Sequence, residues 1–309
     1  VKNKSIVLVT LTLACSHPVA RDEPAPLLNP SAAPPPTLRT LKITSECADP
    51  IWIQQENHAG APALTKLTKG TSTSFSIPDE GLPSTRYWAK TGCDATGNSC
   101  AVGQSSPPCP AAGCAPPVDS KLEATWGCTL PEAQKEQCAK TDQGPHVKNT
   151  WWNASAVDGF TLPFLVAVSG ASSDACAPVN CAMLDQNKCP ASESLPPAYP
   201  GGVDLRVQGG AGCFSPCTAL TYPGFGGKGI QPPSDPRAAA YCCPTPPVSP
   251  AQCSSGPAAT TKYVEAIHKM CADTTYGYAY DDALGLRQCD PTVELQLIFC
   301  PGIPAVATP

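Results

Sequence analysis

The sequence predicts a mainly β protein: an antiparallel β-sandwich carrying a disulfide-rich loop lobe that contains one short helix. Three observations predict it. Of 309 residues, 38 are Pro and 24 are Gly, a load that helical bundles and coiled coils do not carry because both residues are poor inside helices. Nineteen residues are Cys, an asset in an oxidising compartment and a liability in a reducing cytosol. Short stretches alternate apolar and polar residues with a period of two, separated by Pro/Gly turns.

Charge and histidine content narrow the function. The net charge is −5, from 20 basic and 25 acidic residues, and no Lys/Arg cluster exists to replace phosphate counterions, so a nucleic-acid partner is excluded. Four His are too few to share several zinc sites with the Cys, and Cys213-x3-Cys217 has none nearby. Gly224–Gly229 spells GxGxxG, but it follows Pro223 instead of a strand and runs into Pro232-Pro233 instead of a helix. It therefore lacks the helix N-terminus that would hold a pyrophosphate. No GxSxG or HExxH string is present, and no cofactor is expected.

In chain order, Lys2 and Lys4 precede an apolar run, Ser5–Ala14, too short for the ~20 residues of a membrane-spanning helix. This is the shape of a signal peptide over residues 1–15. Val1 where Met is usual points to an alternative start codon and a bacterial gene. Cys15, directly after Leu13-Ala14, resembles the acylated Cys of a bacterial lipoprotein, with Thr12 where Leu is usual; setting it aside leaves an even number of Cys, able to pair fully. Residues 16–37 hold seven Pro and no periodicity, the composition of an extended tether. The folded part is expected over 38–301, with the sandwich at about 38–171 and 285–301, the bridged lobe at about 172–284, and a tail at 302–309.

Within it, Leu41–Thr44, Arg86–Lys90 and Val293–Leu297 alternate as strands, Thr71–Ile77 is a Ser/Thr-rich strand, and Phe160–Val168 is an apolar run broken by Pro163. Thr260–Cys271 reads as the helix, with Val264, Ile267, His268 and Cys271 on one face. Residues 172–256 hold eight Cys with little periodicity, so this lobe is expected to be held by bridges more than by a core.

Several strings point one way when taken in order: Arg86-Tyr87-Trp88-Ala89-Lys90-Thr91-Gly92-Cys93, then Val157-Asp158-Gly159-Phe160, the adjacent Cys242-Cys243, Tyr276-Gly277-Tyr278-Ala279-Tyr280-Asp281-Asp282, and the closing Phe299-Cys300-Pro301. Together they resemble the thaumatin-like family across 38–301. The resemblance implies bridges joining Cys47 to Cys300, Cys93 to Cys100, Cys109 to Cys114, Cys176 to Cys289, Cys181 to Cys271, Cys189 to Cys213, Cys217 to Cys242 and Cys243 to Cys253. Cys128 and Cys138 are additional to that set and are expected to bridge each other.

The resemblance also implies an acidic cleft between sandwich and lobe, lined by one Arg, one Glu and three Asp. Arg86, Glu123, Asp158 and Asp281 match four of these positions; Asn153 stands where the fifth would be Asp. Carboxylates accept hydrogen bonds from sugar hydroxyls, Arg donates them, and aromatic faces stack on sugar rings, with Tyr87, Trp152, Tyr278 and Tyr280 as candidates that core packing would equally explain. The expected partner is a β-glucan or related wall polysaccharide, bound by a secreted or surface-tethered monomer with an antifungal or defence role. Two alternatives stay open. One is weak endo-β-1,3-glucanase activity, with Glu123 as acid and Asp158 or Asp281 as partner, which needs two carboxyls ~5–9.5 Å apart. The other is a cell-surface structural or interaction protein that uses only the bridged scaffold.

Overall fold

Strands form where side chains alternate between a buried and a solvated face. In Arg39–Ser45 (β1) every second residue is buried, Leu41 and Ile43 fully so. The other strands of the two large sheets are Ile51–Glu56 (β2), Ala63–Leu67 (β3), Thr71–Ile77 (β4), Leu82–Lys90 (β5), Lys121–Trp126 (β6), Thr150–Ser155 (β7), Phe164–Ser169 (β8), Val179–Cys181 (β9), Arg287–Cys289 (β10) and Glu294–Phe299 (β11). The computed structural model describes residues 39–57, 63–104, 118–141, 144–170, 174–209, 212–225 and 228–302. The leader, Cys15, the Pro-rich tether and the Cys109–Cys114 pair lie outside the described residues.

One sheet has the order β9-β8-β11-β1-β4 and the other β10-β7-β6-β5-β2-β3. Leu41, Ile43, Leu297 and Phe299 of the first share a buried core with Ile51, Ile53, Leu122, Trp126 and Trp152 of the second. The Phe75 and Tyr87 rings meet across the layers at 5.1 Å. Each fully buried Leu, Ile or Phe contributes about 1.5–3 kcal/mol. One pairing departs from the antiparallel expectation: β1 and β11 run parallel, Leu41 opposite Leu295 and Ile43 opposite Leu297. First and last strands therefore lie side by side at the centre of their sheet, and Cys47–Cys300 clamps their ends.

Eight bridges join the described residues: Cys47–Cys300, Cys93–Cys100, Cys128–Cys138, Cys176–Cys289, Cys181–Cys271, Cys189–Cys213, Cys217–Cys242 and Cys243–Cys253. These are eight of the nine pairs named above. The lobe itself differs from expectation in three ways. Besides the one helix expected, it holds four further short ones, Pro216–Thr221, Ala239–Cys242, Pro250–Ser254 and Asp282–Gly285. Its segment Val179–Cys181 is a sandwich strand, hydrogen-bonded to β8. It also has a real core, because Phe214 packs on Tyr222 and Phe225, and Phe225 on Tyr199, continuous with the buried Leu195, Leu205 and Leu220 and with the sandwich interior. Those aromatics sit at irregular spacing in strands of two to five residues, a helix end and a turn, too short for any period to reveal them.

The helix expected from the sequence runs over Lys262–Met270, with Pro257–Thr260 forming a 3₁₀ turn before it. Thr261 caps it by accepting from the Val264 N–H, and the buried Glu193 carboxylate accepts from the Tyr263 N–H at 2.8 Å, both satisfying donors that a helix start leaves open. Val264, Ile267 and Met270 are buried. Tyr263 is fully buried and its hydroxyl donates to the Ala156 carbonyl at 2.6 Å, pinning the lobe to the end of β7.

Candidate functional site

The outer face of the six-stranded sheet carries polar side chains in register. Glu56 on β2 lies opposite Arg86 on β5, Arg86 opposite Glu123 on β6, and Glu123 opposite Asn153 on β7. Period-two alternation sends all four to one face, while their neighbours Thr85, Ala124 and Trp152 turn inward and are buried. Arg86 Nε lies 3.1 Å from Glu123 Oε1. A second row, Thr125, Trp151 and Gln288, runs beside the first on β6, β7 and β10. Between Leu82 and Thr85 the register of β5 shifts; Ser84 takes a left-handed backbone (φ 53°) and its N–H bonds the Thr125 hydroxyl at 3.1 Å. Such a bulge bends the strand beside the row. A hollow of about 480 Å³ results, lined by Glu56, Arg86, Glu123, Asn153, Trp151 and Leu286 among others.

Three of the five positions implied by the resemblance, Arg86, Glu123 and Asn153, therefore share this hollow. Asp158 does not line it. Gly159 next to it has φ +135°, and a Cβ there would come within 2.4 Å of the Cys213 carbonyl oxygen, so only glycine lets the chain turn here. That turn delivers the Asp158 carboxylate to the Lys121 ammonium. Lys121 also meets Asp119, which is fully buried, at 2.9 Å. Burial alone would lower the Lys121 pKa, but Asp119, Asp158 and Glu123 together outweigh it and hold the ammonium well above the usual lysine range.

Asp281 does not line this hollow either. It is 4% exposed, with Oδ2 2.6 Å from His268 Nε2 and 3.0 Å from the Gly277 N–H. It ties the last turn of the helix, through His268, to the backbone at Gly277. The hydrogen bond with Asp281 raises the His268 pKa, against the opposing effect of burial. A raised folded value means the pair's stabilisation is complete below the unfolded His value of ~6.5 and is lost as pH rises through the folded value. The melting-temperature gap between wild type and Asp281→Asn should therefore narrow as pH is raised upward from about 6.5. A gap constant over that range would show that the pair is not charged.

The aromatic candidates also sort themselves. Tyr87 and Trp152 are core residues, the latter donating Nε1–H to Cys289 Sγ at 3.1 Å. Tyr280 donates to the Thr245 hydroxyl at 2.7 Å, and Tyr278 packs among lobe residues. The aromatic that reaches solvent on the site's face is Trp151, 39% exposed. Strand parity carries the signal for it: with Asn153 on the outer face, the adjacent Trp152 must point in and Trp151 out. Glu56 was likewise absent from the sequence reading and becomes visible only through the β2–β5 register. Among the described residues no group of three or more His, Cys, Asp or Glu is placed to hold a metal, and no helix is long and apolar enough to cross a membrane.

The model of the Thaumatin family matches residues 45–301. The chain belongs to the thaumatin family. It is 28% identical over 276 residues to thaumatin-like protein 1 of Arabidopsis thaliana, covering 86% of this chain and 87% of that one. It is 28% identical over 277 residues to a glucan endo-1,3-beta-glucosidase of Prunus avium, covering 85% and 90%. Among solved structures it is similar to a laminaripentaose-producing β-1,3-glucanase in complex with laminaritetraose, at 15% identity and a TM-score of 0.44 over 86% of this chain and 99% of that one. The bridges of this thaumatin-family chain fit an oxidising, extracellular setting.

Proposed function

We propose that this thaumatin-family chain binds a β-1,3-glucan or related wall glycan outside the cell, in a defence or antifungal role, and that it binds without cleaving. The observation that carries the reading is the in-register row Glu56–Arg86–Glu123–Asn153 beside an exposed Trp151. It alternates acceptors and donors at the strand spacing of ~4.8 Å, over a length that suits successive sugar hydroxyls. The similarity to a relative named as a glucan endo-1,3-beta-glucosidase supports the choice of glycan.

Hydrolysis would need one carboxyl free to give a proton and a second to attack or to activate water. Here Glu123 is held by Arg86, Asp158 by Lys121 and Asp281 by His268. Glu123 and Asp158 each already have a cationic partner and Asp281 is bound to His268, which suits holding a ligand more than turning it over. The leader over residues 1–15 and acylation at Cys15, as in a bacterial surface lipoprotein, belong to the same proposal; the intact mass of the exported protein would read both.

Sedimentation with insoluble β-1,3-glucan tests the reading. Wild type should be retained, and Arg86→Ala should lower retention ~10-fold or more, the scale of losing a central charged contact. Retention unaltered in Arg86→Ala would remove this cleft from the binding. Reducing sugar released from soluble glucan, and abolished in Glu123→Gln, would establish the hydrolase instead. Indifference to every polysaccharide would favour a purely structural role.

A further inference from the structure

Trp151 is exposed on a face whose strands leave it no covering partner, and it borders two hollows at once. On one side lies the hollow with Arg86, Glu123 and Asn153. On the other is a second one of about 520 Å³, reached past Trp151 and Leu286 and lined by Asp282, Leu284, Arg287 and Gln288. The two share Trp151 and Leu286. The geometry follows from the register: Trp151 stands between Thr125 on β6 and Gln288 on β10, and the short helix Asp282–Gly285 packs beside β7. Asp282 is exposed and accepts the Tyr276 hydroxyl hydrogen bond, which fixes its carboxylate at the hollow's wall.

We infer that Trp151 is the stacking platform at the middle of an extended glycan site, and that the chain's ligand is a polysaccharide strand several sugar units long. One sugar ring lies on the Trp151 indole face, flanked by a section that hydrogen-bonds to the Arg86–Glu123 row and by another that reaches the Asp282–Gln288 hollow. Each hollow falls in the ~300–1,000 Å³ range of a small-molecule site, so neither alone needs a long ligand. An amphipathic ring exposed between two polar hollows is suited to a sugar, whose axial C–H face is apolar and whose rim is hydroxylated. The inference rests on the glycan reading above and deepens it by fixing the length of ligand and the residue that senses it.

A length series separates the two. Binding of β-1,3-linked gluco-oligosaccharides from two to six units is measured by calorimetry for wild type, Trp151→Ala and Asp282→Asn, each checked for an unchanged melting temperature. Wild-type affinity should climb with length. Trp151→Ala should flatten that climb and bind the longest oligosaccharide ~10-fold or more weakly, while Asp282→Asn should lose a few-fold on the longest alone. The wild-type intrinsic tryptophan emission should shift on binding, and Trp151→Ala should abolish the shift. If wild type binds and Trp151→Ala follows it at every length, the extension is wrong and the Arg86–Glu123 reading stands. If wild type binds no oligosaccharide of the series, both fall.

Discussion

Replacing Lys121 with Met should lower the unfolding free energy by about 3–5 kcal/mol, the cost of removing one partner from a buried ion pair. The reason lies with its partners more than with Lys121 itself. Asp119 is fully buried and Lys121 is its cation at 2.9 Å, whereas the Asp158 side chain is 47% exposed. Water can take over Asp158 when the ammonium goes, whereas Asp119, with no exposed surface, must rely on the contacts that remain inside the protein. The loss should therefore be recovered in large part by Asp119→Asn added to Lys121→Met, and hardly at all by Asp158→Asn. Denaturant unfolding of the four proteins with bridges intact measures it. A single-variant loss below about 1 kcal/mol, or equal recovery by either second change, would contradict the assignment of Asp119 as the dependent charge.

The same cluster shows how far the sequence could be read. Strands were legible because Leu41, Ile43, Leu295 and Leu297 obey a local rule, and the bridges because Cys order is conspicuous and matched a known framework. Charge pairing was not legible, because it depends on register between strands far apart in sequence. Lys121 reaches Asp158 only because β6 pairs with β7 and Gly159 permits the turn after it. Asp281 was matched to a cleft position by its string, yet a helix residue thirteen positions earlier, His268, takes its carboxylate. A motif transfers the identity of a residue and not its partners. Trp151 is the opposite case. Once Asn153 was assigned outward, parity alone separated it from Trp152, so that residue was readable from sequence and only the choice between neighbours was missed.

Removing the Cys47–Cys300 bridge, as Cys47→Ser with Cys300→Ser to avoid a lone thiol, should cost about 4–5 kcal/mol. Its sequence separation is 253, but the unfolded chain does not gain a loop of that size, because Cys93–Cys100, Cys128–Cys138 and Cys176–Cys289 already short-circuit 7, 10 and 113 residues. The loop released is roughly 120 residues, for which chain entropy predicts about 5 kcal/mol. The comparison that tests the argument is Cys243→Ser with Cys253→Ser, whose separation is 10 and whose expected cost is about 3 kcal/mol by the same relation. The long bridge also clamps a parallel strand pair, which closes through nearly the whole chain and gains nothing from a local turn. Amide exchange at Leu41 and Ile43 should therefore accelerate in the first variant and stay protected in the second. Equal destabilisation by the two, with no change at β1, would mean that native-state contacts and not loop closure set the worth of these bridges.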